Sequence, residues 1–170
     1  MAKLLPNFDL MKNYYPTDPD PDKIKRDIGK DVNQSHYHNT CVIRLSHAFN
    51  YANHPIPSDT AVFRTKQGAD GKWYGLRVSE FRKYMERTYG KPTVLERPAK
   101  KGGGISPSKF KGYRGILGLA VDGFSDATGH FTLWEIDRLL YGHMEYFKRS
   151  HEAALWTPDN PNIRWSEAPY

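Results

Sequence analysis

A chain of 170 residues with 38% hydrophobic and 14% aromatic side chains can bury a core without metal or disulfide staples. No apolar run approaches the roughly 20 residues of a bilayer-spanning helix, which excludes membrane insertion in that form. The net charge of +6 suits an anionic partner. The basic residues are nevertheless scattered outside Lys100-Lys101 and the 109–114 stretch, and no nucleic-acid motif is present, so nucleic acid is not the expected partner.

The opening Met1-Ala2-Lys3-Leu4-Leu5-Pro6 lacks the apolar stretch and small-residue cleavage site of a signal peptide. The expectation is therefore a product made in the cytoplasm and exported, if at all, by another route. Phe8, Leu10 and Met11 sit near helical spacing until the Pro16–Pro21 stretch breaks the pattern, and a second short helix is expected over 22–28, ending near Gly29. Residues 31–39 read as polar and irregular. Asn39–Tyr51 is the best helix of the first half, with Thr40 or Asn39 as cap and Val42, Leu45, Ala48 and Phe49 on one apolar face. Gly68-Ala69-Asp70-Gly71 signals a turn between two short strands. A further helix is expected from a Ser79 cap through Tyr89, with Phe81, Tyr84, Met85 and Thr88 on one side and Gly90 and Pro92 as the stop.

After Pro92 the pattern changes. Lys100–Ser108 reads as a flexible loop, Gly115–Val121 as a buried strand, and Gly129–Trp134 as a half-buried strand. Arg138–Gly142 offers a return strand around a turn at Glu135–Asp137. The Pro-rich, aromatic tail from Tyr146 onward is expected to pack over the surface. Helices first and an antiparallel sheet afterwards predict an α+β fold, with residues 1–170 as a single domain.

One residue in this chain is a cysteine, Cys41, so an intramolecular disulfide is impossible. A thiol that attacks an amide must reach its thiolate near neutral pH. A helix N-terminus and a neighbouring imidazole both favour that. Cys41 lies in the first turn of the Asn39–Tyr51 helix, where unpaired N–H groups and the Asn39 side chain could also hold an oxyanion. Its polar neighbours argue against deep burial. His130, at the start of a strand and beside Gly129, is the candidate base. Cysteine on a helix followed by histidine on a later strand is the order of papain-like enzymes. A third group must fix the imidazole tautomer. If the hairpin turns through Glu135–Arg138, the residue opposite His130 is His143; in a skewed hairpin Asp137 or Glu145 reaches instead.

Three blocks, NTCVIRLSHAFNY (39–51), GADGKWYGLRVSEFRKYMERTYGKP (68–92) and VDGFSDATGHFTLW (121–134), resemble the type VI secretion amidase effectors of the fourth family. FDLMKNYYP (8–16) and IGKDV (28–32) are similar to the family's start, so the likeness spans most of residues 8–134. The resemblance implies a papain-like fold close to NlpC-type cell-wall peptidases, with N-terminal helices packed on the sheet, and no cofactor. It implies D,L-endopeptidase activity on the γ-D-glutamate–meso-diaminopimelate bond of peptidoglycan stem peptides. It further implies delivery by the type VI apparatus into a target bacterium's periplasm, and a cognate immunity protein that blocks the groove. The family's nucleophile falls on Cys41 and its base on His130. The chain departs from the pattern at the third member, usually an Asp one short hairpin later, where His143 or Glu145 now stands nearest and Asp137 lies closer to the turn. The extra cysteines of many family members are absent.

Two other classes compete. Trp73, Trp156 and Trp165 could line the groove of a catalytically silent cell-wall-binding module. His36 and His38, with His47 and His54 beyond, could ligate a metal, although no carboxylate is convincingly placed beside them. Arg44 and Arg77 are the basic residues guessed to touch a carboxylate-rich peptide.

Overall fold

The computed structural model describes residues 2–121 and 129–166; most of the turn-rich stretch expected before His130, residues 122–128, lies outside them. Among the described residues, five α-helices and seven strands follow in order: α1 (Phe8–Asn13), α2 (Pro21–Ile28), α3 (Cys41–Tyr51), β1 (Thr65–Gln67), β2 (Trp73–Gly75), α4 (Val78–Tyr89), β3 (Val94–Glu96), β4 (Arg114–Val121), β5 (Gly129–Glu135), β6 (Arg138–Leu139), α5 (Tyr146–Arg149) and β7 (Ser150–Trp156). Short 3₁₀ turns cover Lys30–Val32 and Pro107–Phe110.

The helices start and stop where local chemistry dictates. The Asp20 side chain accepts from Asp22 N to cap α2, whose first residue, Pro21, lacks an N–H in any case. Helix α4 begins one residue before the expected cap, so Ser79 lies inside it and makes no capping bond; Gly90 ends it as expected. Its Phe81, Tyr84, Met85 and Tyr89 are buried against the rest of the core.

β1 and β2 form an antiparallel ribbon around the 68–71 turn. The main sheet has strand order β3-β7-β4-β5-β6, antiparallel throughout. Two expectations fail here. The tail from Tyr146 does not merely cover the surface, since Ser150–Trp156 forms β7 between β3 and β4. Nor is β5 half-buried, for all seven of its residues are buried. The reason is that both faces of the sheet are covered. One carries α1, α3 and α4, around Ile116, Phe131, Leu133, Ala154 and Trp156. The other carries Ile105, Phe110 and Phe147, over Leu117, Leu119, Trp134 and Leu155. A strand covered twice loses the alternation that a solvent-facing sheet would show.

The architecture is α+β with N-terminal helices on an antiparallel sheet, in agreement with the papain-like expectation. Helix α3 is the central helix of this arrangement, with Cys41, Val42, Ile43, Arg44, Leu45, Ser46, Ala48, Phe49 and Asn50 all buried. Its N-terminus is thereby fixed against β5.

Candidate active site

Cys41 is the first residue of α3. Thr40 makes no capping bond; Asn39 Oδ1 accepts from Cys41 N at 3.0 Å instead. The thiol is 0% exposed, contrary to the shallow position expected from its polar neighbours. The helix end points into the sheet rather than toward water, and the sulfur meets the N–H of Phe131 on β5. Burial pushes the Cys41 thiol up from 9.0 to about 11, despite the opposing pull of the Phe131 and Val42 N–H groups, the Asn39 side chain and the Arg44 charge. The resting thiol is protonated at neutral pH, and the helix N-terminus alone does not make it a thiolate.

His130 is the second residue of β5 and is buried. Gly129 is what lets the strand come so close: a Cβ there would lie 1.8 Å from Leu119 O. The His130 Nε2–H donates to the main-chain carbonyl of Tyr141 at 2.7 Å. Burial pushes the imidazole down to about 4; the Tyr141 carbonyl counteracts this, while the charges of His143 and Arg44 add to it. The His130 ring also lies 5.0 Å from the Tyr146 ring.

The expected turn occurs, with Glu135 paired to Arg138 and Trp134 to Leu139. Continued, that register would bring position 143 opposite His130. However, β6 ends at Leu139, and the chain bends at Tyr141–Gly142. His143 is exposed and packs edge-on against Tyr146 at 5.9 Å; no hydrogen bond joins it to His130 among the described residues. Asp137 sits exposed in the β5–β6 turn, about 20 Å from His130 along the strand at roughly 3.3 Å per residue. Glu145 is exposed and pairs with Lys148. Among the described residues none of the three side chains hydrogen-bonds the imidazole; a backbone oxygen does. Side-chain chemistry offers no signal for such a group.

A groove of about 750 Å³ opens beside His130, lined by His36, His38, Asn39, Arg64, Lys66, Arg77, Tyr141 and Tyr146 among others. Arg64 and Arg77 share the carboxylate of Glu80 at 3.6 and 3.5 Å, so two cations face one anion and Lys66 adds a third positive charge. Of the two guessed arginines, Arg77 lines this groove, while Arg44 is 0% exposed and faces the interior. Trp156 is 1% exposed in the core and Trp165 stacks on Arg114, so the proposed aromatic wall is not formed. His36 and His38 reach the groove, yet no three His, Cys, Asp or Glu side chains converge as a metal-binding group among the described residues.

Comparison with known proteins places this geometry in context. A sequence comparison with curated proteins gives no match. The Tae4 effector from Enterobacter cloacae superposes with a TM-score of 0.79 at 25% identity, over 92% of this chain and 99% of the other. The Tae4–Tai4 effector–immunity complex from Salmonella Typhimurium matches with a TM-score of 0.74 at 26% identity, over 90% and 98% of the two chains. The corresponding complex from Enterobacter cloacae, at 24% identity and a TM-score of 0.77 over 91% and 99%, shares the fold. The family model for Tae4, the type VI secretion system amidase effector protein 4, matches residues 37–156, well over half the chain and including Cys41 and His130. The chain therefore belongs to the fourth family of type VI secretion amidase effectors, hydrolases that act on peptidoglycan.

Proposed function

We propose that this chain is a cysteine D,L-endopeptidase that cuts the γ-D-glutamate–meso-diaminopimelate bond of peptidoglycan stem peptides, with Cys41 as nucleophile and His130 as base. The observation that carries the reading is the packing of the first turn of α3 on β5. It sets the Cys41 sulfur against the N–H of Phe131, the residue after His130. The tie from His130 Nε2 to Tyr141 leaves Nδ1 as the basic nitrogen.

In this mechanism Nδ1 takes the thiol proton as sulfur attacks the γ-carbonyl carbon of D-glutamate. The oxyanion is held by the Asn39 side-chain amide N–H and by the Cys41 N–H, which exchanges its bond to Asn39 Oδ1 for the oxyanion. The imidazolium then protonates the leaving diaminopimelate nitrogen and the C–N bond breaks, giving a thioester. Water loses a proton to Nδ1, adds to the thioester and releases a free γ-carboxylate and the thiol. Because burial holds both the thiol and the imidazole in their neutral forms, this is general-base catalysis rather than attack by a resting ion pair.

Arg64, Lys66 and Arg77 supply the charge that draws a stem peptide with several carboxylates into the groove. Delivery into a target periplasm and blockage of the same groove by an immunity protein complete the reading. Mass spectrometry of digested peptidoglycan tests the bond assignment. Fragments ending in a D-glutamate γ-carboxylate, paired with new diaminopimelate amino ends, are expected. Cleavage at another amide overturns the assignment.

A further inference from the structure

A histidine acting as base through Nδ1 needs an acceptor at Nε2 that never gives a proton back. The main-chain carbonyl of Tyr141 meets that need at 2.7 Å, because a carbonyl oxygen only accepts. The peptide bearing it is held from several sides. The Tyr141 N–H donates to Thr132 Oγ1 at 3.1 Å. Thr132 Oγ1 also meets the Tyr15 hydroxyl at 3.2 Å, and this contact is buried. Gly142 has φ +106°, and a Cβ there would lie 2.4 Å from His130 Nε2, so glycine lets the chain turn with its carbonyl against the ring.

The Tyr141 ring lies under the Arg44 guanidinium, 3.7 Å from its carbon. Arg44 is 0% exposed and makes no ion pair among the described residues. It is suspended by main-chain and hydroxyl oxygens: Nε donates to Thr40 Oγ1 at 3.0 Å, and Nη1 to the carbonyls of Pro16 at 3.1 Å and Asp18 at 2.5 Å. Nη2 has no hydrogen-bond partner among the described residues. A buried guanidinium held this way costs desolvation energy without a carboxylate in return. What it visibly does is clamp the Tyr141 ring from the helix that carries Cys41.

We propose that the main-chain carbonyl of Tyr141 is the group that orients the catalytic imidazole in this chain, with Thr132 and Arg44 as the positioning residues that hold it. The inference rests on the reading of His130 as base. It explains why the place of the family's third residue can stand without a carboxylate. Arg44 clamps the ring of the residue whose carbonyl holds His130, and it does so from the fourth position of α3, so the nucleophile's helix and the base's support are registered on one another.

The test pairs turnover with a readout that needs no substrate. In ¹⁵N-histidine-labelled protein, His130 should be the Nε2–H tautomer, with an unprotonated Nδ1. Thr132→Val should give a mixed tautomer signal and lower kcat on the order of tenfold or more, with KM within about twofold, and Thr132→Ser should restore both. Arg44→Met should move the same signal, while Asp137→Asn, His143→Gln and Glu145→Gln should leave kcat within about twofold. An Nδ1–H tautomer in the wild type overturns the proposal. So does unchanged kcat in a folded Thr132→Val, or a tenfold loss in a folded Asp137→Asn, His143→Gln or Glu145→Gln. A wild type without peptidoglycan turnover but with the Nε2–H tautomer would sink the functional reading and leave the orienting contact standing.

Discussion

At the scale of single residues, Cys41 and His130 are both buried at the proposed site. Burial moves Cys41 and His130 in opposite directions, each toward its uncharged form. The free protein should accordingly resist alkylation. At pH 7 iodoacetamide should react with Cys41 at least about a hundredfold more slowly than with an unperturbed thiol, from thiolate fraction alone. Fast alkylation, read by intact mass, would show that the thiolate is already present. Cys41 and His130 could be proposed from the sequence because their chemistry is rare and their flanking residues, Asn39-Thr40 and Gly129, carry positional meaning. The orienting group was not legible, because the oxygen of Tyr141 depends on where β6 stops and on the bend at Gly142, not on any side chain.

At the scale of elements, periodicity found α3 and α4 because each buries a regular stripe; the 68–71 turn was read from its Gly and Asp residues and the 135–138 turn from the return strand after it. It missed β7, whose Ser-His-Glu-Ala-Ala-Leu-Trp has neither alternation nor β-branched residues. The physical reason is close packing on both faces. Ala154 pairs with Gly118, and a Cβ on Gly118 would lie 2.7 Å from the Phe131 ring, so small residues are required at the centre of the sheet. Ala154→Leu should overpack this point and cost about 1–3 kcal/mol, measured by urea denaturation; an unchanged midpoint would refute the packing argument. Arg114 ties β4 to α1 and to the segment after β7, bonding Asp159 through Nε and Nη2 at 3.0 and 3.1 Å and Asp9 at 3.1 Å. Arg114→Lys keeps the charge but loses the fork, and should cost on the order of 1–3 kcal/mol by the same assay.

For the whole molecule, the buried pair sets a pH window. His130 binds a proton at about 4 when folded, against 6.5 when unfolded, so stability is lost as pH falls from 6.5 toward 4. Cys41 titrates at about 11 when folded against 9.0 when unfolded, so stability is lost as pH rises from 9.0 toward 11. Thermal melting should show a plateau between these limits, with an acid slope that is shallower in His130→Gln; equal slopes would contradict the desolvation of His130. The net charge of +6 was visible from composition, but the gathering of Arg64, Lys66 and Arg77 at the groove, beside Asp59 and Glu80, required the fold.

On this reading the thiol of Cys41 does the cutting. Purified peptidoglycan incubated with the wild type and with Cys41→Ala, matched for folding by circular dichroism, tests it most directly. Stem-peptide cleavage is expected from the wild type and none above background from Cys41→Ala. Cleavage by both at similar rates would contradict it and move the chemistry elsewhere in the groove.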